Sequence, residues 1–408
     1  MTPAGPAPAS RLPNALRLAP WLDRRRALGY ATILGAFELA LVLFWVLGAR
    51  DNVDPLGKAL GTDFISFWSA SQLALQGTPA FAYDSAAHAA AEAGVAGPAA
   101  GYFSFFYPPV FLLVCLPLAL LPYALSLPAW LGATAAPALA VMRRLLPGFS
   151  ALELAAAATF PALLLNAGHG QNGFLSLALV GFGFLALARR PVLAGVLLGC
   201  LVYKPQLAVL LPFALACAGH WRALAAAAMT AALLAVLSWL VLGGGVWSAF
   251  FAQLGLATDT LSQSLVDPAK MVTLFAALRL WGLPAGIALG AQIAAALAML
   301  VLTARHARAA TPLQLGALCV TGTFLATPFA LDYDLTLLAL PLAVLVTSAR
   351  RDGFLPWEKL VLLAAFILPL MVRPLGMLHV PAAPLVLVAL LALVMARIAG
   401  AAGTAAAR

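Results

Sequence analysis

Apolar residues recur in long runs along the whole chain, separated by short polar gaps. The runs cover residues 30–48, 107–142, 151–166, 172–188, 191–203, 205–218, 222–242, 283–303, 311–329, 334–348, 357–372 and 380–397. Several are shorter than the ~20 residues of a full membrane span, so we expect them to extend into flanking residues or to form bent helices along a cavity. The pattern predicts an all-α polytopic membrane protein with about 12 crossings.

The composition fits a chain that lies mostly in lipid. Hydrophobic residues make up 64% of the 408 positions and charged residues only 9%, whereas a soluble domain carries roughly 25% charged residues. The net charge of +9 comes largely from arginines in short gaps, which the positive-inside rule explains without a nucleic-acid partner. The four cysteines all lie in apolar runs, so we expect buried thiols rather than disulfides or a zinc site.

Basic residues predict which side of the membrane each gap faces. They cluster at Arg24–Arg26, Arg143-Arg144, Arg189-Arg190, His220 with Arg222, Arg305 with Arg308, and Arg350-Arg351. If all these clusters are cytoplasmic, the crossings alternate along the whole chain, provided that 107–142 makes one net crossing with a kinked or re-entrant portion. Both termini are then cytoplasmic, and the polar gaps that lack a basic cluster lie on the outer face.

These patterns divide the chain into three parts. Residues 1–28 begin with a Pro/Ala-rich stretch and are predicted to be a disordered cytoplasmic N-terminus that does not resemble a cleaved signal peptide. Residues 29–399 form a single transmembrane domain with a long first outer loop at 49–106. Residues 400–408 form a short cytoplasmic tail.

The first outer loop contains the stretch GTDFISFWSASQLALQGTPAFAYD, which begins at Gly61. Phe64, Phe67 and Trp68 recur at helical spacing, which predicts an interfacial helix with its aromatic side toward lipid or protein. Asp63 stands at the start of this helix, where it is either an N-cap or a general base at the membrane surface. Asp84 ends the stretch and is expected to cap the Ala-rich segment that follows.

Two further polar motifs lie between apolar runs. Tyr107 opens YPP, where the chain re-enters the bilayer and where an interfacial tyrosine is expected. The sequence GHGQN contributes His169, Gln171 and Asn172. These side chains form either a plain polar turn or a set of donors and acceptors that bind sugar hydroxyls.

Two isolated cations are expensive to keep in an apolar chain unless they have a partner. Lys204 stands in YKPQ beside Gln206 and either snorkels to the surface or binds a phosphate as a point charge. Arg373 stands between two spans at a predicted outer mouth, against the positive-inside trend, and its guanidinium fork suits phosphate oxygens.

The late motif TPFALDYD supplies two more carboxylates. Asp332, Tyr333 and Asp334 stand between two apolar runs. They form either a turn with an N-cap for the next helix or a site for sugar hydroxyls or a cation.

The order of these motifs resembles glycosyltransferase family 87, a group within the GT-C superfold. The resemblance covers roughly residues 30–350: a basic N-terminus, one span, a long loop opening with an Asp followed by aromatics, then YPP, GQN, AGVLLGCLVYKPQ and TPFALDYD. The chain departs from well-known mannosyltransferase members in the late motif, where it has Asp332-Tyr333-Asp334 in place of histidines.

The resemblance implies a GT-C-like bundle that transfers a sugar from a polyprenyl-phosphate donor to a lipid or glycan acceptor, with inversion. It implies a multi-pass protein of the bacterial inner membrane and cell envelope, with its active site outside. Asp63 matches the general base of this superfold, and mannose or another hexose is the expected sugar. Lys204 and Arg373 are then expected at the donor phosphate, and the amide, Tyr, His and Asp side chains of the other motifs at the sugar and acceptor.

Cations at the phosphate would make a metal unnecessary, so we expect a metal-independent enzyme without a cofactor. A transporter or flippase of a lipid-linked or small polar substrate is the main alternative, although most polar candidates gather on one predicted face. A non-catalytic assembly subunit is a third hypothesis, which intact function after simultaneous substitution of Asp63 and Lys204 would favour.

Overall fold

The computed structural model describes residues 11–262 and 267–406, and most of these residues are helical. The helices are α1 Arg11–Leu18, α2 Arg24–Gly48, α3 Phe64–Leu75, α4 Ser85–Ala96, α5 Pro109–Cys115, α6 Tyr123–Leu145, α7 Ala151–Ala158, α8 Pro161–Gly168, α9 Gly173–Ala186, α10 Pro191–Gly199, α11 Leu211–Cys217, α12 Trp221–Leu242, α13 Gly244–Ser262, α14 Leu274–Leu280, α15 Ala285–His306, α16 Pro312–Ala326, α17 Ala339–Asp352, α18 Glu358–Met377 and α19 Ala382–Ala406. Short 3-10 helices include Leu118–Leu120, Cys200–Tyr203, Pro205–Leu207, Pro268–Lys270 and Asp332–Leu338.

Seven helical segments among the described residues are long and apolar enough to cross a membrane. They are α2, α6, α12, α15, the continuous segment Asp332–Asp352, α18 and α19. The pair α7 and α8, bent by 54°, gives an eighth candidate, and six further apolar helices of the described residues are only 10–17 residues long. The predicted all-α polytopic class is confirmed, while the count of about 12 crossings stays a prediction.

The prolines of 107–142 divide that run into a short helix and a long one. Helix α5 ends at Cys115, and a 3-10 turn follows before Pro122 initiates α6. At 1.5 Å per residue α5 is roughly 10 Å long, far less than the ~30 Å of a hydrocarbon core. Only α6 therefore has the length to cross.

Both ends of the chain are more helical than the apolar pattern predicts. Instead of disorder throughout 1–28, residues 11–18 form α1 and α2 begins at Arg24; the same prediction for residues 1–10 lies outside the described residues. The N-terminal segment is attached to the start of α18, since the Trp357 backbone N–H donates to the Arg17 carbonyl at 2.7 Å and Lys359 Nζ donates to the Leu22 carbonyl at 3.0 Å. Helix α19 continues past 399 to Ala406. Hydropathy does not reveal such tertiary contacts.

The aromatic side of α3 faces protein. Phe64 and Phe67 are fully buried, and the Phe67 ring makes edge-to-face contacts with Tyr107, Phe111 and Trp130 at 5.0–6.2 Å. Burying two phenyl rings stabilises this arrangement by about 2 kcal/mol each. This packing fixes the N-terminus of α3 against α5 and α6.

Candidate active site

Asp63 immediately precedes α3, and its carboxylate does not cap that helix. Its backbone is already helical, with φ −67° and ψ −19°, and it makes no side-chain cap hydrogen bond. Instead Oδ2 accepts a hydrogen bond from Gln171 Nε2 at 2.8 Å, and Oδ1 lies 3.9 Å from His169 Nδ1. The N-cap interpretation of Asp63 is therefore wrong, whereas Asp84 does cap α4, accepting from the Ala86 and Ala87 N–H groups.

Gln171 holds the Asp63 carboxylate in place. Its Oε1 accepts hydrogen bonds from the Tyr107 hydroxyl at 3.0 Å and from the Asn172 backbone N–H at 3.1 Å. Because the carbonyl oxygen is occupied in this way, the amide NH₂ is directed at Asp63. Gly170 lets this turn approach α3: its φ is +58°, and a Cβ there would lie 2.5 Å from the Phe64 Cβ.

His169 bridges Thr62 and Arg373. Its Nε2 lies 2.8 Å from Arg373 Nη2 and its Nδ1 lies 2.6 Å from Thr62 Oγ1. Arg has only donors, so Nε2 must accept, which leaves the neutral-ring proton on Nδ1 to donate to Thr62. Burial lowers the pKa of His169; Asp63 opposes this shift and the Arg373 charge adds to it. The ring is thus an uncharged acceptor for Arg373 at neutral pH.

Arg373 also forms a two-point ion pair with Asp332. Its Nε donates to Asp332 Oδ2 and its Nη2 to Oδ1. The Asp332 carboxylate is buried and also accepts from the Tyr333 backbone N–H at 2.9 Å, whereas the Arg373 side chain is 34% exposed. The guanidinium is therefore held in a fixed orientation with one side open.

Lys204 is fully engaged inside the protein. Its side chain is 3% exposed, and Nζ donates to Asp334 Oδ1 at 2.6 Å and to Asn172 Oδ1 at 3.0 Å. The ammonium also faces the rings of Tyr107 and Tyr333 at 5.9 and 5.3 Å. Asp334 in turn accepts from the Leu331 backbone N–H at 2.9 Å. The pair is buried with its hydrogen bonds satisfied, so the snorkelling interpretation of Lys204 is wrong.

One polar cluster therefore contains nearly all the side chains that the sequence singles out: Asp63, Tyr107, His169, Gln171, Asn172, Lys204, Asp332, Tyr333, Asp334 and Arg373. Gln206 is half-buried and makes no side-chain hydrogen bond to this cluster within the described residues. Sequence reasoning did not select two residues that act on this cluster. Thr62 is the hydrogen-bond partner of His169, and the charge of Lys270 contributes to lowering the pKa of His169. Thr62 could have been found by its adjacency to Asp63, but nothing in the linear pattern marks Lys270.

The described part of the chain contains no preformed metal-binding site. No group of three or more His, Cys, Asp or Glu side chains is placed there to hold a metal ion. The carboxylates of Asp332 and Asp334 are instead neutralised by Arg373 and Lys204.

The fold and the site define a polytopic helical membrane protein whose described residues bring carboxylates, amides and cations together in a cluster. Residues 105–328, more than half of the chain, match glycosyltransferase family 87, and the chain belongs to this family. It is therefore a glycosyltransferase, with a sugar donor and an acceptor. The matched range contains Tyr107, GHGQN and Lys204, while Asp63, Asp332 and Arg373 lie outside it. Neither the curated proteins nor the solved structures contain a match.

Proposed function

We propose that this protein transfers a sugar, mannose or another hexose, from a polyprenyl-phosphate donor to an acceptor hydroxyl, with inversion and with Asp63 as the general base. The observation that carries the proposal is the orientation of the Asp63 carboxylate. It is 23% exposed, turned away from its own helix, held by Gln171, and close to the His169 ring, which contacts the partly exposed guanidinium of Arg373. A carboxylate so placed has a free oxygen for an acceptor hydroxyl.

The reaction is a single displacement at the anomeric carbon. The acceptor oxygen forms a bond to that carbon while its proton passes to Asp63, and the bond from the carbon to the donor phosphate breaks with its electron pair going to the phosphate oxygen. Attack opposite the leaving group inverts the anomeric configuration. The phosphate gains a negative charge, so a cation beside it lowers the barrier.

Arg373 and Lys204 were both expected at the donor phosphate, but their surroundings favour different tasks. Arg373 is oriented by Asp332 and His169 and has an open side for phosphate oxygens. Lys204 is enclosed and instead fixes Asn172 and Asp334. We therefore assign the phosphate contact to Arg373 and a positioning role to Lys204. Tyr107, His169, Gln171, Asn172 and the Asp332–Asp334 motif remain the proposed sugar and acceptor contacts.

In the proposed orientation this cluster lies outside the cytoplasm. Arg24–Arg26 begin α2, and the loop that leads to Asp63 follows its other end. A helix of 25 residues is long enough to cross the hydrocarbon core. The positive-inside rule therefore favours cytoplasmic termini and a site on the exterior of a bacterial inner membrane.

Purified protein in lipid nanodiscs, supplied with radiolabelled polyprenyl-phosphate sugars and a membrane extract as acceptor source, tests the proposal. Asp63→Asn should insert normally but lose about 10²-fold or more of the transfer rate, the usual share of a general base. Asp84→Asn is the matched control, since Asn also caps helices well. Full activity of Asp63→Asn would overturn the base assignment.

The same assay addresses the remaining parts of the proposal. Activity should survive EDTA, because we propose that cationic side chains supply the charge that a metal would otherwise provide. Movement of a lipid-linked substrate across vesicles without any glycosyl product would instead favour the transporter hypothesis.

A further inference from the structure

We propose that Lys270, which the sequence gives no reason to select, joins Arg373 as the second cation at the phosphate of the donor lipid. This inference rests on the proposed function, because it names a contact for the phosphate of that reaction. It replaces Lys204, which is buried against Asp334, as the lysine that meets the substrate.

A backbone bridge brings the segment of Lys270 close to the segment of Asp332. Met271 and Leu331 form an antiparallel bridge, and the Val272 N–H donates to the Ala330 carbonyl at 3.1 Å. Lys270 directly precedes Met271, and Asp332, the residue that orients Arg373, directly follows Leu331. The bridge therefore brings the backbone at Lys270 close to the segment that carries Asp332.

Helix α18 also packs against the segment that carries Lys270. A Cβ at Gly376 would lie only 2.8 Å from the Ala269 Cα, so the 3-10 helix Pro268–Lys270 packs directly on this glycine. Arg373 precedes Gly376 by three residues, which puts both on the same side of the helix. The Asp267 carboxylate caps the 3-10 helix by accepting from the Ala269 N–H at 2.9 Å, so the position of Lys270 is fixed by the fold.

The charge balance of the cluster leaves Lys270 available. Lys204 is neutralised by Asp334, and Arg373 by Asp332. Lys270 is exposed and has no ion pair or side-chain hydrogen bond among the described residues. Its field nevertheless reaches the cluster, since it contributes to lowering the pKa of His169. An exposed, unpaired ammonium whose charge reaches the His169 ring that contacts Arg373 is a suitable second cation for a phosphate.

The chemistry makes this second cation most important late in the reaction. The donor is a phosphodiester with one negative charge, whereas the leaving polyprenyl phosphate carries close to two. Arg373 alone is already shared with Asp332, so the additional charge needs a further cation. Lys270 should therefore stabilise the transition state and the lipid phosphate product more than the intact donor.

Binding to decaprenyl phosphate in zwitterionic nanodiscs tests the contact independently of transfer. Lys270→Gln should weaken this binding about tenfold, which corresponds to the loss of one charge-assisted contact, while Lys270→Arg should retain it. Lys58→Gln is the matched control, because Lys58 is also exposed but lies beside Gly101 in the first loop. Decaprenol and inorganic phosphate serve as probes for the tail and the phosphate alone.

The probes and the control separate a phosphate contact from other causes of weaker binding. Equal binding by Lys270→Gln and wild type would overturn the inference, and so would an equal loss in Lys58→Gln, which indicates only general surface charge. A Lys270-dependent loss seen with inorganic phosphate as well as decaprenyl phosphate supports a phosphate contact, and a loss seen equally with decaprenol contradicts it.

The transfer assay distinguishes failure of this contact from failure of the proposed function. If the wild type binds decaprenyl phosphate through Lys270 but transfers no sugar, the proposed function fails and the phosphate site stands. If Lys270→Gln transfers sugar with an unchanged kcat, the phosphate contact of Lys270 fails and the proposed function stands.

Discussion

Asp63 and Asp84 lie near the two ends of one short stretch, yet their carboxylates make different contacts. Asp84 has extended backbone, and its side chain accepts hydrogen bonds from the first N–H groups of α4, as a cap does. Asp63 has helical backbone, so its side chain is directed away from such groups and toward Gln171. Residue type and position near a helix start are the same in both cases. The backbone conformation decides which Asp is free for chemistry.

Gln171→Met tests whether the fixed orientation of Asp63 matters. Met has similar volume but cannot donate to the carboxylate, so Asp63 loses its only observed side-chain donor among the described residues. We expect kcat to fall about tenfold with the donor KM nearly unchanged, and thermal stability to fall as well, because the Tyr107 hydroxyl and the Asn172 N–H lose their acceptor. Steady-state kinetics measure this, and Gln76→Met at the exposed end of α3 is the control. An unchanged kcat of the folded variant would instead indicate a purely structural role for Gln171.

Helix α4 contributes a buried pair of titratable groups to the first loop. His88 Nε2 lies 3.1 Å from the Ser66 carbonyl and therefore donates, which leaves Nδ1 as an acceptor facing Glu92 Oε1 at 3.6 Å. Glu92 Oε2 accepts from the Phe103 N–H at 2.9 Å. Burial lowers the pKa of His88 to about 4 and raises the pKa of Glu92 to about 8. A neutral imidazole and a neutral carboxyl thus connect α3, α4 and the segment that leads to α5.

These two pKa shifts predict how the stability of the first loop depends on pH. Folded His88 binds fewer protons than the unfolded residue between pH 4 and 6.5, so its contribution rises with pH there. Folded Glu92 binds more protons than the unfolded residue between pH 4.5 and 8, so its contribution falls. Between pH 4.5 and 6.5 the contributions of His88 and Glu92 to stability change in opposite directions. From pH 6.5 to 8 only the decrease caused by Glu92 remains. Amide hydrogen exchange in α4 should accelerate over that range beyond its intrinsic rise.

Glu92→Gln provides the control for this prediction. Gln cannot ionise but its side-chain oxygen can still accept from the Phe103 N–H. The acceleration of amide hydrogen exchange in α4 beyond its intrinsic rise between pH 6.5 and 8 should therefore disappear in this variant. An identical pH dependence in the variant would assign the effect to another group.

At the scale of the whole molecule, the sequence predicts the site better than the count of crossings. Polar residues in an apolar chain are costly, so Asp63, GHGQN, Lys204 and Arg373 stand out from the linear pattern alone. Lys270 does not, because a lysine in an ordinary polar loop needs no explanation. The pairing of each cation with its own carboxylate also cannot be predicted from the sequence, since Lys204 and Asp334 meet only through the packing of distant segments.

The number of membrane crossings is harder to predict than the site. Six apolar helices of the described residues are too short to be recognised as membrane spans by their length.

Helix α18 links the candidate site to a second buried ion pair near its other end. Glu358 begins the helix and accepts from Arg397 Nε and Nη2 at 2.9 and 2.5 Å, and Arg397 Nη2 also donates to the Gly353 carbonyl. Arg373 lies fifteen residues further along α18, roughly 22 Å away at 1.5 Å per residue. This pair therefore fixes α18 to α19 far from the proposed chemistry.

Breaking the Glu358–Arg397 pair should cost stability without altering the site. Glu358→Gln leaves Arg397 buried with an unneutralised charge, a loss of about 3–5 kcal/mol for such a pair. The double variant Glu358→Gln with Arg397→Met removes both charges and should recover much of that loss, because an apolar side chain is tolerated where an unpaired ion is not. Thermal unfolding in nanodiscs measures the three stabilities, and decaprenyl phosphate binding below the unfolding temperature should be equal in all of them. Weakened binding in the folded double variant would show that the pair positions Arg373 through α18 and does more than hold two helices together.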